Sequence, residues 1–299
     1  MIPGMGSMEN FVTTANYLKD HYWPLIKSRQ TFLLTLTGVA GYFCLRPARM
    51  NWPSFLGLLG SMLVTIGGCT ILNMVFDRDI DRKMVRTRER PLAAEKIDAR
   101  AAAILGSALV ILGLLWSLRL SVLYFGLALA GAGLDVLVYT VWLKRRSAWS
   151  IFWGGLSGGI PILAGRALVL GRMDATGLLL AFAIVCWIPS HNLTLGMLHS
   201  EDYLNAGVPT FLNVYGIGTT RATVAFSSLL SVLLMAAAFV RLNLSLPVYA
   251  ILGVSSLGLV GLAFFVWTRS SQQAVGTLYK YSSFYMLSAM LLLLLASIK

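Results

Sequence analysis

The chain has 299 residues, of which 57% are hydrophobic and only 12% are charged, and its mean hydropathy is +0.75. Since about a quarter of the residues in a soluble domain are charged, this composition excludes a soluble globular protein and indicates an integral membrane protein. The net charge of +12 does not indicate nucleic acid as a partner, because the bases are concentrated in loops between long apolar runs.

Apolar runs long enough to cross a bilayer, which takes roughly 20 residues, recur along the chain. In lipid each span must satisfy its own backbone hydrogen bonds, and these runs are too long and too uniformly apolar for barrel strands, so they predict helices. The predicted fold is an all-α membrane protein with nine transmembrane helices. A polar N-terminal segment is predicted at 1–20, and a single transmembrane domain at 21–299. The nine predicted spans are 28–45, 54–74, 100–117, 121–143, 149–169, 176–198, 219–240, 247–267 and 278–297.

The distribution of lysine and arginine predicts the orientation of these spans. If the N-terminus is cytoplasmic, most of the 24 bases lie in cytoplasmic segments. The positive-inside rule therefore predicts that the N-terminus and the charged loops face the cytoplasm and that the C-terminus lies on the opposite face. The expected location is the plasma membrane of a bacterium or an archaeon.

The most charged stretch of the chain, NMVFDRDIDRKMVRTRERP at 73–91, follows the second apolar run. Asn73, Asp77 and Asp81 are spaced i, i+4, i+8, so on a helix they line one face. Three oxygen ligands on one face suit Mg²⁺, which is usually held by one or two carboxylates together with substrate phosphates. The stretch therefore predicts one half of a metal site.

Two arginines four residues apart, Arg86 and Arg90, follow this face, and arginine can grip phosphate oxygens with a two-pronged fork. The alternative is a solvated loop of ordinary salt bridges at the membrane surface, which is what most charged runs are. The spacing places Arg78 and Arg82 on a different face from the acids, and a simple ladder of helix salt bridges does not require this separation.

The pattern N-x-x-x-D-x-x-x-D followed by R-T-x-x-R-P-L resembles the first signature of the UbiA superfamily of intramembrane prenyltransferases. The resemblance implies nine transmembrane helices around a central cavity. It also implies Mg²⁺-dependent transfer of an isoprenoid chain from its diphosphate to an acceptor within the membrane.

A second polar region, WIPSHNLTLGMLHSEDYLNAGVPTFLNVYG at 187–216, closes in an acidic loop. A histidine inside an apolar span is costly unless it is paired or functional, which makes His191 a candidate site residue. Glu201 and Asp202 are the acids available for a second set of metal ligands. Many members of the superfamily have D-x-x-x-D in this loop, but Leu198 occupies the position of the first aspartate here.

The elements W-x-P-x-H and D-Y-x-x-A-G-V-P in this region resemble one branch of the superfamily, the farnesyltransferases that act on heme. That resemblance implies farnesyl diphosphate as the donor and a vinyl group of heme B as the acceptor, with His191 binding the heme iron and Tyr203 contacting substrate. The chain departs from the branch at Ser190 and Asn192, beside the expected acceptor pocket. An aromatic quinone precursor or a lipid alcohol therefore remains an alternative acceptor.

Transport is a third alternative. It is disfavoured because the acids cluster at one membrane face and not at the membrane midplane.

The fourth span ends in YTVWLKR, which supplies further candidates. Tyr139 is expected to stabilise an allylic cation or to belong to the interfacial aromatic belt. Lys144 and Arg145 are expected to bind diphosphate or to act as topology anchors. Asp135, within the span, should face the interior of the bundle.

The candidate residues of both polar regions and of the fourth span fall into three groups. The predicted catalytic residues are Asp77, Asp81, Asp202 and Tyr139. The predicted substrate contacts are Asn73, Arg86, Arg90, Lys144, Arg145, His191 and Tyr203. The predicted metal ligands are Asn73, Asp77, Asp81, Glu201 and Asp202.

Overall fold

A computed structural model describes residues 23–45, 51–269 and 271–295 of the chain. Over these ranges the regular structure is helical, with no β-strand. The N-terminal segment predicted at 1–20 lies outside the described residues.

The described helices are numbered in chain order, after a single 3₁₀ turn at Trp23–Ile26. They are α1 (Ser28–Phe43), α2 (Trp52–Lys83), α3 (Ala99–Leu120), α4 (Val122–Leu143), α5 (Ser150–Leu170), α6 (Ala175–Leu198), α7 (Ser200–Asn205), α8 (Phe211–Leu242), α9 (Leu246–Thr268) and α10 (Gln272–Leu295).

Eight of these helices are long and apolar enough to cross a membrane, and they match eight of the nine predicted spans. The remaining predicted span, 28–45, corresponds to α1, which has 16 residues. The expectation of an all-α, multi-pass membrane protein is confirmed, and eight spans satisfy the length criterion among the described residues.

The bundle closes on itself around a central space. Helix α1 packs against α2, α5 and α10, and α6 packs against α5, α8 and α10, so the last long helix meets the first. The contact of α1 with α5 is made by backbone, because a Cβ on Gly41 or Gly165 would overlap a carbonyl oxygen of the facing helix. Small residues at such a seam let helices approach closely in lipid.

Helix α2 is longer than its apolar run. Its 32 residues span about 48 Å at 1.5 Å per residue, against a hydrocarbon core of about 30 Å. The last turns of α2 therefore extend beyond the core and carry Asn73, Asp77 and Asp81 to one end of the bundle. We call this end, together with the segment 84–98 and α7, the mouth.

Helix α4 changes its hydrogen-bonding pattern halfway along. Residues Val122–Ala132 are α-helical, whereas Gly133–Leu143 form a π-helix. The wider turn continues into the loop, where the Lys144 N–H donates to the Tyr139 carbonyl at 2.8 Å. Because the π pattern links residue i to i+5, it brings Asp135 alongside Thr140, and Tyr139 alongside Lys144.

Candidate active site

The bundle encloses a cavity of about 1230 Å³ that opens at the mouth. Its deep walls are apolar, with Met62, Ile66, Ile184, Ile188 and Met286 among them. Its mouth is polar and carries both acids and bases. Charged and amide side chains that line the cavity include Lys27, Asn73, Asp77, Asp81, Arg86, Arg90, Asp135 and Lys144.

Asp77 is buried, and only one of its two carboxylate oxygens has a hydrogen-bond partner among the described residues. Its Oδ2 accepts a hydrogen bond from Lys144 Nζ at 2.5 Å, and the two side chains are only 6% and 18% exposed. Its Oδ1 is buried without a hydrogen-bond partner among the described residues. Burial of an unpaired carboxylate oxygen is costly, so this atom marks a place where a ligand or cation completes the site.

Asp81 lies one turn further out and is held by Arg90. Two hydrogen bonds from Arg90 Nη1, at 2.9 and 2.8 Å, reach its two carboxylate oxygens. Thr87 fixes the turn between them by donating to the Asp81 carbonyl oxygen at 3.1 Å. The segment that carries Arg90 therefore folds back over the end of α2.

Asn73, one turn deeper than Asp77, is held from α4. Its Nδ2 donates to Asp135 Oδ2 at 2.9 Å, and its Oδ1 accepts from Thr140 Oγ1 at 2.9 Å. The sequence predicted that Asp135 faces the interior but gave no partner for it.

Lys27 is a residue of the mouth that sequence reasoning missed. It precedes α1 in a left-handed conformation (φ 42°) and lines the cavity. Burial, followed by the nearby positive charges of Arg90 and Lys144, lowers the pKa of Lys27 to about 8. The only sign of Lys27 in the sequence was its position as a base next to the first apolar run. A base in that position indicates the orientation of the span in the membrane and does not by itself indicate a site.

The second acidic loop meets the first one, but its acids do not enter the cavity. Asp202 accepts hydrogen bonds from the backbone N–H groups of Val85 and Arg86 at 3.0 and 3.3 Å. Glu201 and Asp202 line a separate pocket of about 540 Å³. This placement differs from the expected second set of metal ligands, because Asp202 is occupied in bridging the two loops. Tyr203 does line the main cavity.

Arg145 also lies apart from the cavity, unlike its neighbour Lys144. Its guanidinium donates to both carboxylate oxygens of Asp79, at 2.7 and 2.6 Å, and to the Phe76 carbonyl at 2.5 Å. The expected substrate contact of Arg145 is not supported by this position, because Asp79 is on the outer face of α2, away from Asp77. Asp79 and Arg145 are 56% and 42% exposed.

Tyr139 lies on the cavity wall beneath Lys144, whose Nζ is 5.7 Å from the centroid of its ring. The ring packs against α5 at Gly154, where a Cβ would come within 2.8 Å of Tyr139 Cδ2. The absence of a side chain at Gly154 therefore makes the space that the ring occupies. The Lys144 ammonium is therefore within the range of a cation–π contact with this ring.

His191 lines the same cavity and is fixed on three sides. Its ring stacks between Trp187 at 4.9 Å and Tyr279 at 4.6 Å. Its Nδ1 lies 3.0 Å from Ser282 Oγ and 3.4 Å from Ser283 Oγ. With both faces covered and the Nδ1 edge engaged, the edge that carries Nε2 is left to meet the cavity.

The mouth fits a hard divalent cation bound jointly with an anionic ligand. Within the described ranges, no three His, Cys, Asp or Glu side chains form a metal site by themselves. The oxygens of Asn73, Asp77 and Asp81 nevertheless lie along one face of α2, and Asp77 Oδ1 has no other partner. A cation held by so few protein ligands requires further oxygens, such as those of a phosphate.

An all-helical membrane bundle with an apolar chamber, and with carboxylates and bases at its mouth, has the parts needed to transfer a prenyl group from its diphosphate. A model of the UbiA prenyltransferase family matches residues 33–293, and the chain belongs to this family. It is a multi-pass integral membrane prenyltransferase.

Individual relatives and structures agree with this assignment. A protoheme IX farnesyltransferase of Thermofilum pendens is 42% identical over 193 residues, which are 64% of this chain and 68% of that protein. Another, of Pyrobaculum neutrophilum, is 33% identical over 263 residues, or 88% and 94% of the two chains.

The fold is similar to those of solved UbiA-type structures. A digeranylgeranylglyceryl phosphate synthase matches with a TM-score of 0.78 and 19% identity, covering 95% of this chain and 98% of that one. A UbiA homologue from Archaeoglobus fulgidus, bound to GPP and Mg²⁺, matches with a TM-score of 0.64 and 16% identity, covering 93% and 99%.

Proposed function

We propose that this protein transfers a farnesyl group from farnesyl diphosphate to a vinyl group of heme B, with Mg²⁺ as the cofactor. The relatives named protoheme IX farnesyltransferase support this acceptor. The observation that carries the proposal is that one cavity is lined both by the Asp77 and Asp81 carboxylates and by His191.

The mouth provides the residues for binding the diphosphate. Asn73, Asp77 and Asp81 would hold Mg²⁺, which when bound neutralises the negative charge that develops on the leaving group. Bases that line the same cavity include Lys27, Arg86, Arg90 and Lys144. They bind phosphate oxygens directly once the substrate draws Lys144 and Arg90 away from their carboxylate partners.

The chemistry of the proposed reaction balances within the chamber. The C1–O bond of farnesyl diphosphate breaks, and pyrophosphate leaves with the electron pair. The allylic cation then forms a C–C bond with the vinyl group, and water adds to the new cation with loss of a proton. The role proposed for the chain is to orient the two substrates, to stabilise the first cation with the ring of Tyr139, and to keep bulk water out by its apolar walls.

The environment of His191 supports its proposed role as a ligand of the heme iron. The hydroxyl groups of Ser282 and Ser283 both donate to the Tyr279 carbonyl, at 2.9 and 3.3 Å. In the tautomer that we propose, these protons stay directed to the Tyr279 carbonyl and Nδ1–H donates to a serine hydroxyl. The lone pair is then on Nε2, the nitrogen at the free edge, and a hydrogen bond at the other ring nitrogen is typical of metal-bound histidine.

The proposed orientation follows the positive-inside rule. The mouth and the N-terminus face the cytoplasm, and the C-terminus lies on the opposite side of a bacterial or archaeal plasma membrane. Asp202 and Arg145 are proposed to organise the loops over the mouth, since their contacts in this structure are with the 76–86 segment. Glu201 lines the pocket beside them.

The direct test uses purified protein in detergent with farnesyl diphosphate and Mg²⁺. Heme B and 4-hydroxybenzoate are supplied in separate reactions, and the products are identified by mass. We expect a farnesylated, hydrated heme product. Farnesylation of the aromatic acceptor alone would overturn the heme assignment and leave prenyl transfer intact. His191→Ala should abolish the product from heme and also the spectral shift that heme B shows on binding.

A further inference from the structure

Three polar side chains meet at the deep edge of the mouth, where the charged entrance gives way to the apolar chamber. Asn73 comes from α2, whereas Asp135 and Thr140 come from the π-helical half of α4. Asn73 and Thr140 are buried, at 7% and 1% exposure. The Thr140 hydroxyl is within 2.9 Å of both Asn73 Oδ1 and the Asp135 carbonyl oxygen.

These contacts distinguish the two ends of the Asn73 amide. A carboxylate oxygen only accepts hydrogen bonds, so Asp135 Oδ2 selects the NH₂ end of Asn73 as its neighbour. In this orientation the amide oxygen faces Thr140, whose single hydroxyl proton is shared between Asn73 Oδ1 and the Asp135 carbonyl oxygen. Reversing the amide would place its oxygen against the carboxylate and lose the hydrogen bond to Asp135, whereas Thr140 could accept from the NH₂ group while donating to the Asp135 carbonyl, so Asp135 is the residue that selects the orientation.

The orientation matters because only the oxygen end of an amide can ligate a hard cation. An amide oxygen has two lone pairs, and Thr140 occupies one of them. The second is left for a cation at the α2 face that also presents Asp77 and Asp81. A freely rotating asparagine would present NH₂ to the cation in part of its population.

We propose that Asp135 is a positioning residue, which fixes the Asn73 amide against Thr140 with its oxygen available to the metal and thereby sets the affinity of the mouth for metal diphosphate. This inference rests on the proposed Mg²⁺-dependent transfer. It also gives the π-helix a role, because the i, i+5 alignment is what places Asp135 and Thr140 at the two ends of one amide.

The role can be measured without the prenyl acceptor. Purified protein is titrated with Mn²⁺ in the presence of inorganic pyrophosphate, and free Mn²⁺ is followed by electron paramagnetic resonance. Asp135→Leu and Thr140→Val remove the two contacts, whereas Asp135→Asn and Thr140→Ser keep an acceptor and a donor, respectively. Thr223→Val is the matched control, since the hydroxyl of Thr223 bonds only within its own helix.

We expect Asp135→Leu to weaken Mn²⁺ binding by about 10-fold, the lower end of the range for residues that orient metal ligands. Thr140→Val removes a contact that either amide orientation can make, so this variant, Asp135→Asn, Thr140→Ser and the control should bind within about threefold of the parent chain, against that expected 10-fold loss. If Asp135→Leu does not fold by circular dichroism and gel filtration, Asp135→Ala decides the question.

Two results would overturn the inference. One is unchanged Mn²⁺ affinity in Asp135→Leu or, if that variant does not fold, in Asp135→Ala. The other is an equal loss in Asp135→Asn and Asp135→Leu, because the charge of Asp135 and not its acceptor geometry would then be what matters. Failure of heme farnesylation alone would not affect either readout, so the two proposals fail separately.

Discussion

Lys144 and Arg145 are adjacent and make the same contribution to loop charge, but only Lys144 lines the cavity. Replacing each by methionine removes one positive charge from the same place in the topology while keeping the apolar stem. We expect Lys144→Met to lose prenyl transfer and Arg145→Met to retain it. The pair therefore separates substrate binding from membrane orientation, which sequence alone left open.

The two expected magnitudes follow from burial. Lys144 is 18% exposed beside an Asp77 that is 6% exposed, so its charge is poorly screened. One unit charge about 4 Å from a phosphate oxygen, at an effective dielectric constant of about 20, contributes about 4 kcal/mol, or roughly a thousandfold in kcat/KM. Arg145 and Asp79 are 42% and 56% exposed, and a pair of this kind contributes about 0–1 kcal/mol, or less than about sixfold.

The assay measures the initial rate of farnesyl transfer in detergent at several concentrations of farnesyl diphosphate. Gel filtration and a thermal melt establish that each variant is folded. The reasoning fails if Lys144→Met keeps its kcat/KM within about tenfold of the parent, a loss of no more than about 1.4 kcal/mol. It also fails if Arg145→Met loses as much as Lys144→Met, because both residues would then act as topology anchors.

Further expectations concern the same mouth. Asp77→Asn should abolish turnover while the protein stays folded, because the amide keeps the shape but loses the charge that binds the cation; unchanged turnover would exclude a metal at this position. Gly154→Ala should lower kcat more than it raises KM, since the new methyl displaces the Tyr139 ring; gel filtration checks folding, and equal kcat would contradict the proposed role of the ring. Lys27 has a pKa lowered to about 8, so it is protonated below that pH and neutral above it. The KM for farnesyl diphosphate should therefore rise as the pH passes upward through about 8, and Lys27→Arg should remove this dependence; an identical pH profile in that variant would show that Lys27 does not bind substrate.

The periodicity of the sequence was sufficient to predict the face of α2. Asn73, Asp77 and Asp81 follow the ordinary helical repeat, and α2 continues without interruption over all three. All three side chains consequently line the cavity, as the spacing predicts. Their assignment as metal ligands remains a prediction.

The contribution of α4 was not predictable in the same way. An ordinary helical repeat aligns Asp135 with Tyr139, four residues on, and gives no reason to pair Asp135 with Thr140 or to place Lys144 above Tyr139. The π-helix at Gly133–Leu143 changes these neighbours. No composition or spacing signal in this segment distinguishes a π-helix from an α-helix. In the structure, the π-helical half of α4 packs against α2 and α5.

The second loop shows a different limit of sequence reasoning. An acidic pair opposite another acidic loop indicates shared metal ligands, and nothing in the sequence indicates that Asp202 instead accepts two backbone N–H groups of the first loop. Loop backbone donors are not visible in side-chain patterns. Their partners depend on how the segment at 84–91 folds back over α2.

The internal pairing of the mouth has a consequence for the end of the catalytic cycle. Lys144 and Arg90, which are proposed to bind the incoming diphosphate, already have partners in Asp77 and Asp81. In the proposed reaction, these carboxylates would compete with the departing pyrophosphate for the same two bases, and each ion pair that re-forms would weaken binding of the product. The same internal pairs would then return the entrance to its starting state.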